Sequence, residues 1–326
     1  MKSAASQPVL KINDLKTYYY LTEGVVKAVD RVNMKINQEE ALGIVGESGC
    51  GKSTVAHSIL RLIRQPGKIV SGEILFEGQN LLSKSESEMR KIRGGRIAMV
   101  FQNPTSSLNP VFTVGSQIGE AIKLHQNVEK KGVKEKVIDM LGKVGIPSPK
   151  ERMEDYPHEY SGGMCQRAMM AMALSCNPKL LIADEPTTNL DVTIQAQILD
   201  LIRALRKEFS ASILLIGHDF GVISELCDRI VVMYSGKVVE SADLATIFKE
   251  PKHPYTKALL ESIPRINIEK ERLHVIPGDV PELIKPPPGC RFHPRCEQAM
   301  GVCSKEEPKI KEIKKGHEVA CFLYSQ

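Results

Sequence analysis

Gly46-Glu47-Ser48-Gly49-Cys50-Gly51-Lys52-Ser53 brings glycines, a lysine and a hydroxyl together in the pattern G-x-x-x-x-G-K-[ST], which is suited to gripping phosphate. Glycines let the backbone curl until several N–H groups face one anion, and a helix starting there adds its positive end. Lys52 would reach the β- and γ-phosphates of a nucleoside triphosphate, and the Ser53 hydroxyl would coordinate Mg²⁺. Gly46, Ser48, Gly49, Cys50, Gly51, Lys52, Ser53 and Thr54 are the expected nucleotide contacts.

A second chemical pair, Asp184-Glu185, closes the apolar run Leu180-Leu181-Ile182-Ala183. A buried strand of this kind delivers its last residues to the carboxyl end of a sheet, where ligands bind in open α/β folds. Asp184 would hold Mg²⁺ through water there, and Glu185 would orient and polarise the attacking water. Gln102 ends the strand-like Ile97-Ala98-Met99-Val100-Phe101, with Asn103-Pro104 breaking it. An amide oxygen at a strand end can reach a metal ion, although such a residue alone is more often part of an ordinary loop. His218 follows the apolar Ser212–Gly217 in the same way and would contact a γ-phosphate; an isolated histidine there is more often structural.

The elements that must carry these residues are legible around them. Ala41–Val45 reads as a buried strand before the phosphate loop, and Thr54–Leu60 as a helix after it. Upstream, Val9–Ile12 and Val25–Met34 read as strands with partial alternation, and Tyr18-Tyr19-Tyr20 lies near another. One of these rings would stack on an adenine, or all of them cover a sheet edge. Ile69–Gly78 is a further strand and turn. From 113 to 153 the period becomes helical: Val114, Ile118, Ala121 and Ile122, then Val133, Val137, Ile138, Leu141 and Val144, with lysines and glutamates between. Ile194, Ile198, Leu199, Ile202 and Leu205 mark one face of a later helix.

Composition bounds the function class. The 326 residues, 42% hydrophobic and 25% charged, describe a soluble globular protein with room for one large domain and an appendage. No run approaches the length needed to cross a bilayer, and Met-Lys-Ser-Ala-Ala-Ser-Gln-Pro lacks the apolar core of a signal peptide, so a cytoplasmic chain is expected. A net charge of +5 is no concentrated basic stripe; it argues against nucleic acid and is compatible with docking on the inner face of a membrane.

The landmarks occur in a fixed order: phosphate loop, Gln102, Tyr160-Ser161-Gly162-Gly163-Met164, the strand ending Asp184-Glu185, and His218. This order resembles the ATP-binding subunits of ABC transporters over about residues 8–245. The family's signature is usually Leu-Ser-Gly-Gly-Gln; here Ser161, Gly162 and Gly163 match, while Tyr160 and Met164 depart. The resemblance implies that this glycine-bearing helix start meets ATP from the opposite subunit, two cassettes closing head-to-tail on two nucleotides. It further implies that Tyr19 stacks on adenine, with Tyr18 or Tyr20 serving after a one-residue slip. Gln102 would bridge Mg²⁺ and a transmembrane partner, Thr188-Asn189-Leu190-Asp191 would sense the opposite cassette, and His218 would steady the γ-phosphate. The nucleotide elements are complete, so an active ATPase is expected with Glu185, His218, Lys52 and Gln102 as its catalytic residues and Ser53, Gln102 and Asp184 at Mg²⁺.

The tail narrows the resemblance. Pro251–Leu260, Ile276-Pro277-Gly278 and Gly289–Cys296 look like the C-terminal extension of the ATPases of dipeptide and oligopeptide importers. The implied fold is α/β: a P-loop NTPase core of the ABC ATPase type with an antiparallel β subdomain and a helical signature subdomain at about 103–170, over residues 1–245. Residues 246–326 form a loop-rich, cysteine-containing extension. The implied partners are a second ATPase subunit (identical or paralogous), two transmembrane permease subunits and, through them, an extracytoplasmic peptide-binding protein. The implied location is peripheral, on the cytoplasmic face of the membrane. A nickel or metal-chelate importer is the alternative, and a soluble non-transport ABC ATPase a more distant one.

Four of the eight cysteines crowd into this tail: Cys290, Cys296, Cys303 and Cys321, separated by five, six and seventeen residues. Pro286-Pro287-Pro288-Gly289 ahead of them forbids a helix and favours loops. Four thiolates can hold a 4Fe–4S cluster or Zn²⁺, or stay unligated; zinc knuckles favour shorter gaps than these. The resemblance implies a 4Fe–4S site; a tail too small to build its own core favours a structural role for it, with redox sensing as the alternative.

Overall fold

A computed structural model describes residues 7–103, 107–188, 190–263 and 276–324, so Pro104 and Asn189 lie outside the described residues. The chain divides into two compact units. One comprises Asn37–Glu40 and Ser83–Leu215, with Val9 at the start of the chain; the other comprises Leu10–Ile36, Ala41–Leu82 and Ile216–Gln326.

In the second unit, Leu10–Leu21 pairs antiparallel with Gly24–Ile36 on one side and with Gly67–Phe76 on the other. Val32, Met34 and Ile36 point inward while Arg31, Asn33 and Lys35 face solvent, the alternation of a half-buried sheet. This is the expected antiparallel sheet. Ala41–Val45 is buried throughout and runs parallel to Arg229–Tyr234, to which Lys237–Asp243 adds antiparallel. The expectation of a loop-built tail needs amendment here. Lys311–Lys314 and His317–Val319 form a hairpin around Gly316, and the hairpin extends this sheet by pairing Glu240 with Val319.

A buried polar centre ties the tail down. The Glu240 carboxylate is fully buried and accepts hydrogen bonds from the Lys252 N–H (2.7 Å) and the His253 N–H (2.9 Å), and pairs with His317 Nε2 at 2.8 Å. His253 then caps the helix Pro254–Glu261, its Nδ1 accepting from the Tyr255 N–H at 3.1 Å. Burial holds the His253 pKa far down, at about 3, so the ring stays a neutral acceptor. Tyr255 packs against Tyr234 and Phe292 with ring centroids 4.5 and 5.3 Å apart, a small aromatic core that the tail shares with the sheet.

In the first unit, Ile97–Val100 and Leu180–Asp184 pair in parallel, with Ser212–Gly217 beside the latter. The helical insert appears as Val114–His125 and Lys130–Lys143, followed by the short Pro149–Arg152 and the helix Gly162–Leu174. Val114, Ile118, Ile122, Val133, Val137, Leu141 and Val144 are all buried, whereas Ala121 and Ile138 are half-buried at the edge of the stripe. Val192–Phe209 buries Ile198, Leu199, Ile202 and Leu205, the face expected from spacing.

Candidate nucleotide site

The phosphate loop joins the buried strand Ala41–Val45 to the helix Lys52–Ile59. Two of its glycines are dictated by close backbone approach. A Cβ on Gly46 would come within 2.2 Å of the Met233 carbonyl oxygen, and one on Gly51, at φ 105°, within 2.1 Å of that of Ala28. Ser48 and Gly49 stand exposed at the loop tip, Cys50 is buried, and Ser53 and Thr54 are half-buried in the first helical turn. Burial raises the Cys50 thiol pKa, which keeps it a packing group. Lys52 is 5% exposed and folded back over the loop, its Nζ donating to the carbonyls of Gly46 (2.7 Å) and Glu47 (3.0 Å).

The tyrosines upstream separate by face. The Tyr18 hydroxyl donates to Asp30 at 3.0 Å, and burial together with that carboxylate pushes its pKa up to about 12. Tyr19 is half-buried with its ring against Gly67, and Tyr20 is exposed. His218 is exposed after the strand Ser212–Gly217, and Asp219 caps the next helix by accepting from the Gly221 N–H at 2.7 Å.

In the first unit, Asp184 ends a fully buried strand and is itself 5% exposed. Glu185 follows at φ 48°, a left-handed conformation that an L-residue adopts at a cost. Its Oε2 accepts from Gln102 Nε2 at 2.9 Å and from the Thr188 hydroxyl at 3.0 Å. The structure thus brings Gln102 and Glu185 together and adds Thr188, whose contact sequence spacing did not single out. The signature serine caps its helix: Ser161 Oγ accepts from the Met164 N–H at 3.3 Å, leaving Ser161 and Gly162 exposed and Gly163 half-buried against Ile194. Tyr160 takes the place of the usual leucine by burying its ring and donating its hydroxyl to the Arg152 carbonyl at 2.9 Å, which accounts for that departure. Asp191 caps Val192–Phe209 through the Ile194 N–H.

The four tail cysteines line one narrow cavity together with His253 and Phe322. The Cys290 N–H donates to the Cys303 carbonyl at 2.8 Å. Burial pushes the Cys290 thiol up to about 11 and raises those of Cys296 and Cys321, with neighbouring tail thiols adding to each shift. The expected metal set is grouped but does not converge: among the described residues, no three His, Cys, Asp or Glu side chains are arranged to hold a metal ion.

Comparison with known proteins gives a consistent picture. The ABC transporter family profile matches residues 29–188, and that of the oligopeptide/dipeptide transporter C-terminal region matches residues 239–303. A probable peptide ABC transporter ATP-binding protein of Sinorhizobium fredii, y4tR, is 52% identical over 316 residues, covering 96% of this chain and 94% of that protein. The oligopeptide transport ATP-binding protein AppD of Bacillus subtilis is 49% identical, with 98% and 97% covered. The dipeptide transport ATP-binding protein DppD of Escherichia coli is 46% identical, with 96% of each chain covered. Among solved structures, a dimeric post-hydrolysis state of the ATP-binding cassette MJ0796 with ADP and Pi superimposes at a TM-score of 0.65. It is 26% identical and covers 72% of this chain and 98% of its own.

Proposed function

We propose, from the premise that the chain belongs to the ATP-binding proteins of ABC peptide transporters, that it hydrolyses ATP to drive di- and oligopeptides through separate membrane subunits. The observation that carries this reading is identity extending through both the nucleotide motifs and the peptide-transporter C-terminal region. None of these relatives favours the nickel or non-transport alternatives. Among the described residues, no helix is long and apolar enough to span a bilayer, which suits a peripheral subunit whose partners supply the pathway. Those partners are a second cassette and membrane permeases, with an extracytoplasmic peptide-binding protein acting through them.

In the reaction we propose, the loop amides and the start of the helix Lys52–Ile59 receive the triphosphate, and Lys52 exchanges its two carbonyls for phosphate oxygens. Ser53, Gln102 and Asp184 are oxygen donors of the kind Mg²⁺ prefers, and bound Mg²⁺ would neutralise charge on the β- and γ-phosphates. Glu185 orients the attacking water while Gln102 and Thr188 hold its carboxylate. His218 steadies the γ-phosphate, Tyr19 stacks on adenine, and Ser161, Gly162 and Gly163 serve the nucleotide of the opposite cassette. The decisive experiment is uptake into vesicles carrying this chain with its permeases and receptor. Labelled dipeptide or oligopeptide should accumulate only with ATP, and ATP-driven nickel uptake without peptide uptake would overturn the cargo.

The tail cysteines are proposed to hold a 4Fe–4S cluster, with Zn²⁺ as the alternative. Their grouping around one cavity and their all-sulfur chemistry support this, and binding would require the thiols to turn inward as thiolates. Such a group would staple a small, loop-rich segment. Protein purified without oxygen should contain about four irons and four acid-labile sulfides per chain, lost together on replacing Cys296. One zinc and no sulfide would make the site a zinc staple, and metal-free protein would remove the proposal.

A further inference from the structure

Glu47 is an unexpected residue in a loop that must receive a polyanion. The phosphate-loop pattern leaves its identity open, and a carboxylate there repels the triphosphate unless another charge cancels it. The tail supplies that charge. Arg295, whose side chain is 5% exposed, pairs with Glu47 in the bidentate fork geometry, Nη1 to Oε2 at 2.8 Å and Nη2 to Oε1 at 3.0 Å. Its Nε donates to the Pro277 carbonyl at 2.9 Å, which fixes the fork's direction, and the guanidinium lies 5.9 Å from the Tyr234 ring centroid. The backbone of Glu47 is held from the same side: its N–H donates to the buried Tyr255 hydroxyl at 2.9 Å, while its carbonyl receives Lys52. Side chain, N–H and carbonyl of one loop residue are therefore all engaged, two of them by residues 208 and 248 positions further along the chain.

We propose that Arg295 is a positioning residue of the ATP site, neutralising Glu47 and fixing its side chain so that the phosphate loop accepts a triphosphate. The C-terminal extension thereby becomes part of the nucleotide site. This rests on the reading of Gly46–Thr54 as the ATP-binding loop.

The test is equilibrium binding of ATP and ADP to the full-length wild-type chain, Arg295→Gln, Glu47→Gln and the double variant. Arg295→Gln should weaken ATP binding about tenfold and ADP binding less, because the uncompensated carboxylate acts in proportion to ligand charge. Adding Glu47→Gln to Arg295→Gln should bring ATP affinity back to within about threefold of the Glu47→Gln single variant, since a neutral residue needs no counter-charge. Unchanged affinity in Arg295→Gln overturns the inference. So does a loss that Glu47→Gln fails to restore, because Arg295 would then act through packing alone. Should Arg295→Gln not fold, the double variant decides: folded and binding, it supports the inference, and unfolded or non-binding, it overturns it. Wild-type protein that binds no ATP would instead sink the reading of the loop itself.

Discussion

Glu185→Gln is expected to leave ATP binding within about twofold of wild type while slowing hydrolysis by roughly 10²–10⁴-fold, the usual contribution of a positioned general base. The substitution is nearly isosteric. The glutamine carbonyl oxygen can still accept from Gln102 Nε2 and the Thr188 hydroxyl, which meet the carboxylate at 2.9 and 3.0 Å, so the loop after Asp184 keeps its shape. What would disappear is the negative charge proposed to polarise a water. Binding is proposed to draw on the phosphate loop, which is a different part of the chain, so affinity and turnover should separate in this variant. With hydrolysis blocked, two cassettes closed on ATP have no route to reopening, and a stable nucleotide-dependent dimer should appear in size-exclusion chromatography. Ordinary turnover in Glu185→Gln would remove Glu185 from the chemistry.

The parts of this site that were legible in the sequence are those whose logic is local. Glycines, lysine and hydroxyl within eight residues announce a phosphate loop, and an apolar run ending in two carboxylates announces a buried strand with a polar tip. The helical insert was legible for the same reason, since Ile118, Ile122, Val137 and Leu141 recur at one period. Contacts across long separations leave no such trace. Nothing near Glu47 points to Arg295, nor does anything near Asp30 point to Arg291, 261 residues away and paired with it. The hairpin at 311–319 was missed because Lys-Glu-Ile-Lys and His-Glu-Val are short and polar, without the alternation that marks a strand. Cysteine spacing likewise gave the donor set but not whether the thiols converge. Tyr18, Tyr19 and Tyr20 could not be ranked from adjacency alone; the Asp30 contact of Tyr18 is visible only once the strands pair.

Lys52→Ala should fail one step earlier than Glu185→Gln, at binding. Lys52 is almost wholly buried, and its ammonium is satisfied by the carbonyls of Gly46 and Glu47. Carbonyl dipoles are modest partners for a full charge, so exchanging them for phosphate oxygens favours the nucleotide-bound loop. Truncation removes the charge-assisted contact to phosphate, a loss on the order of 1.5–3 kcal/mol. ATP affinity is therefore expected to fall by about 10²-fold and hydrolysis to fall below detection, with the far-UV circular dichroism of a folded chain. Lys52→Arg separates charge from shape. A planar guanidinium is larger than the ammonium enclosed here and cannot place one compact donor between two carbonyls, so charge alone should not rescue binding. If Lys52→Ala bound ATP as wild type does, the loop would be holding phosphate through its amides and helix end alone, and the lysine would belong only to the chemistry. Full rescue by arginine would mean that the site reads net charge and not the position of the donor.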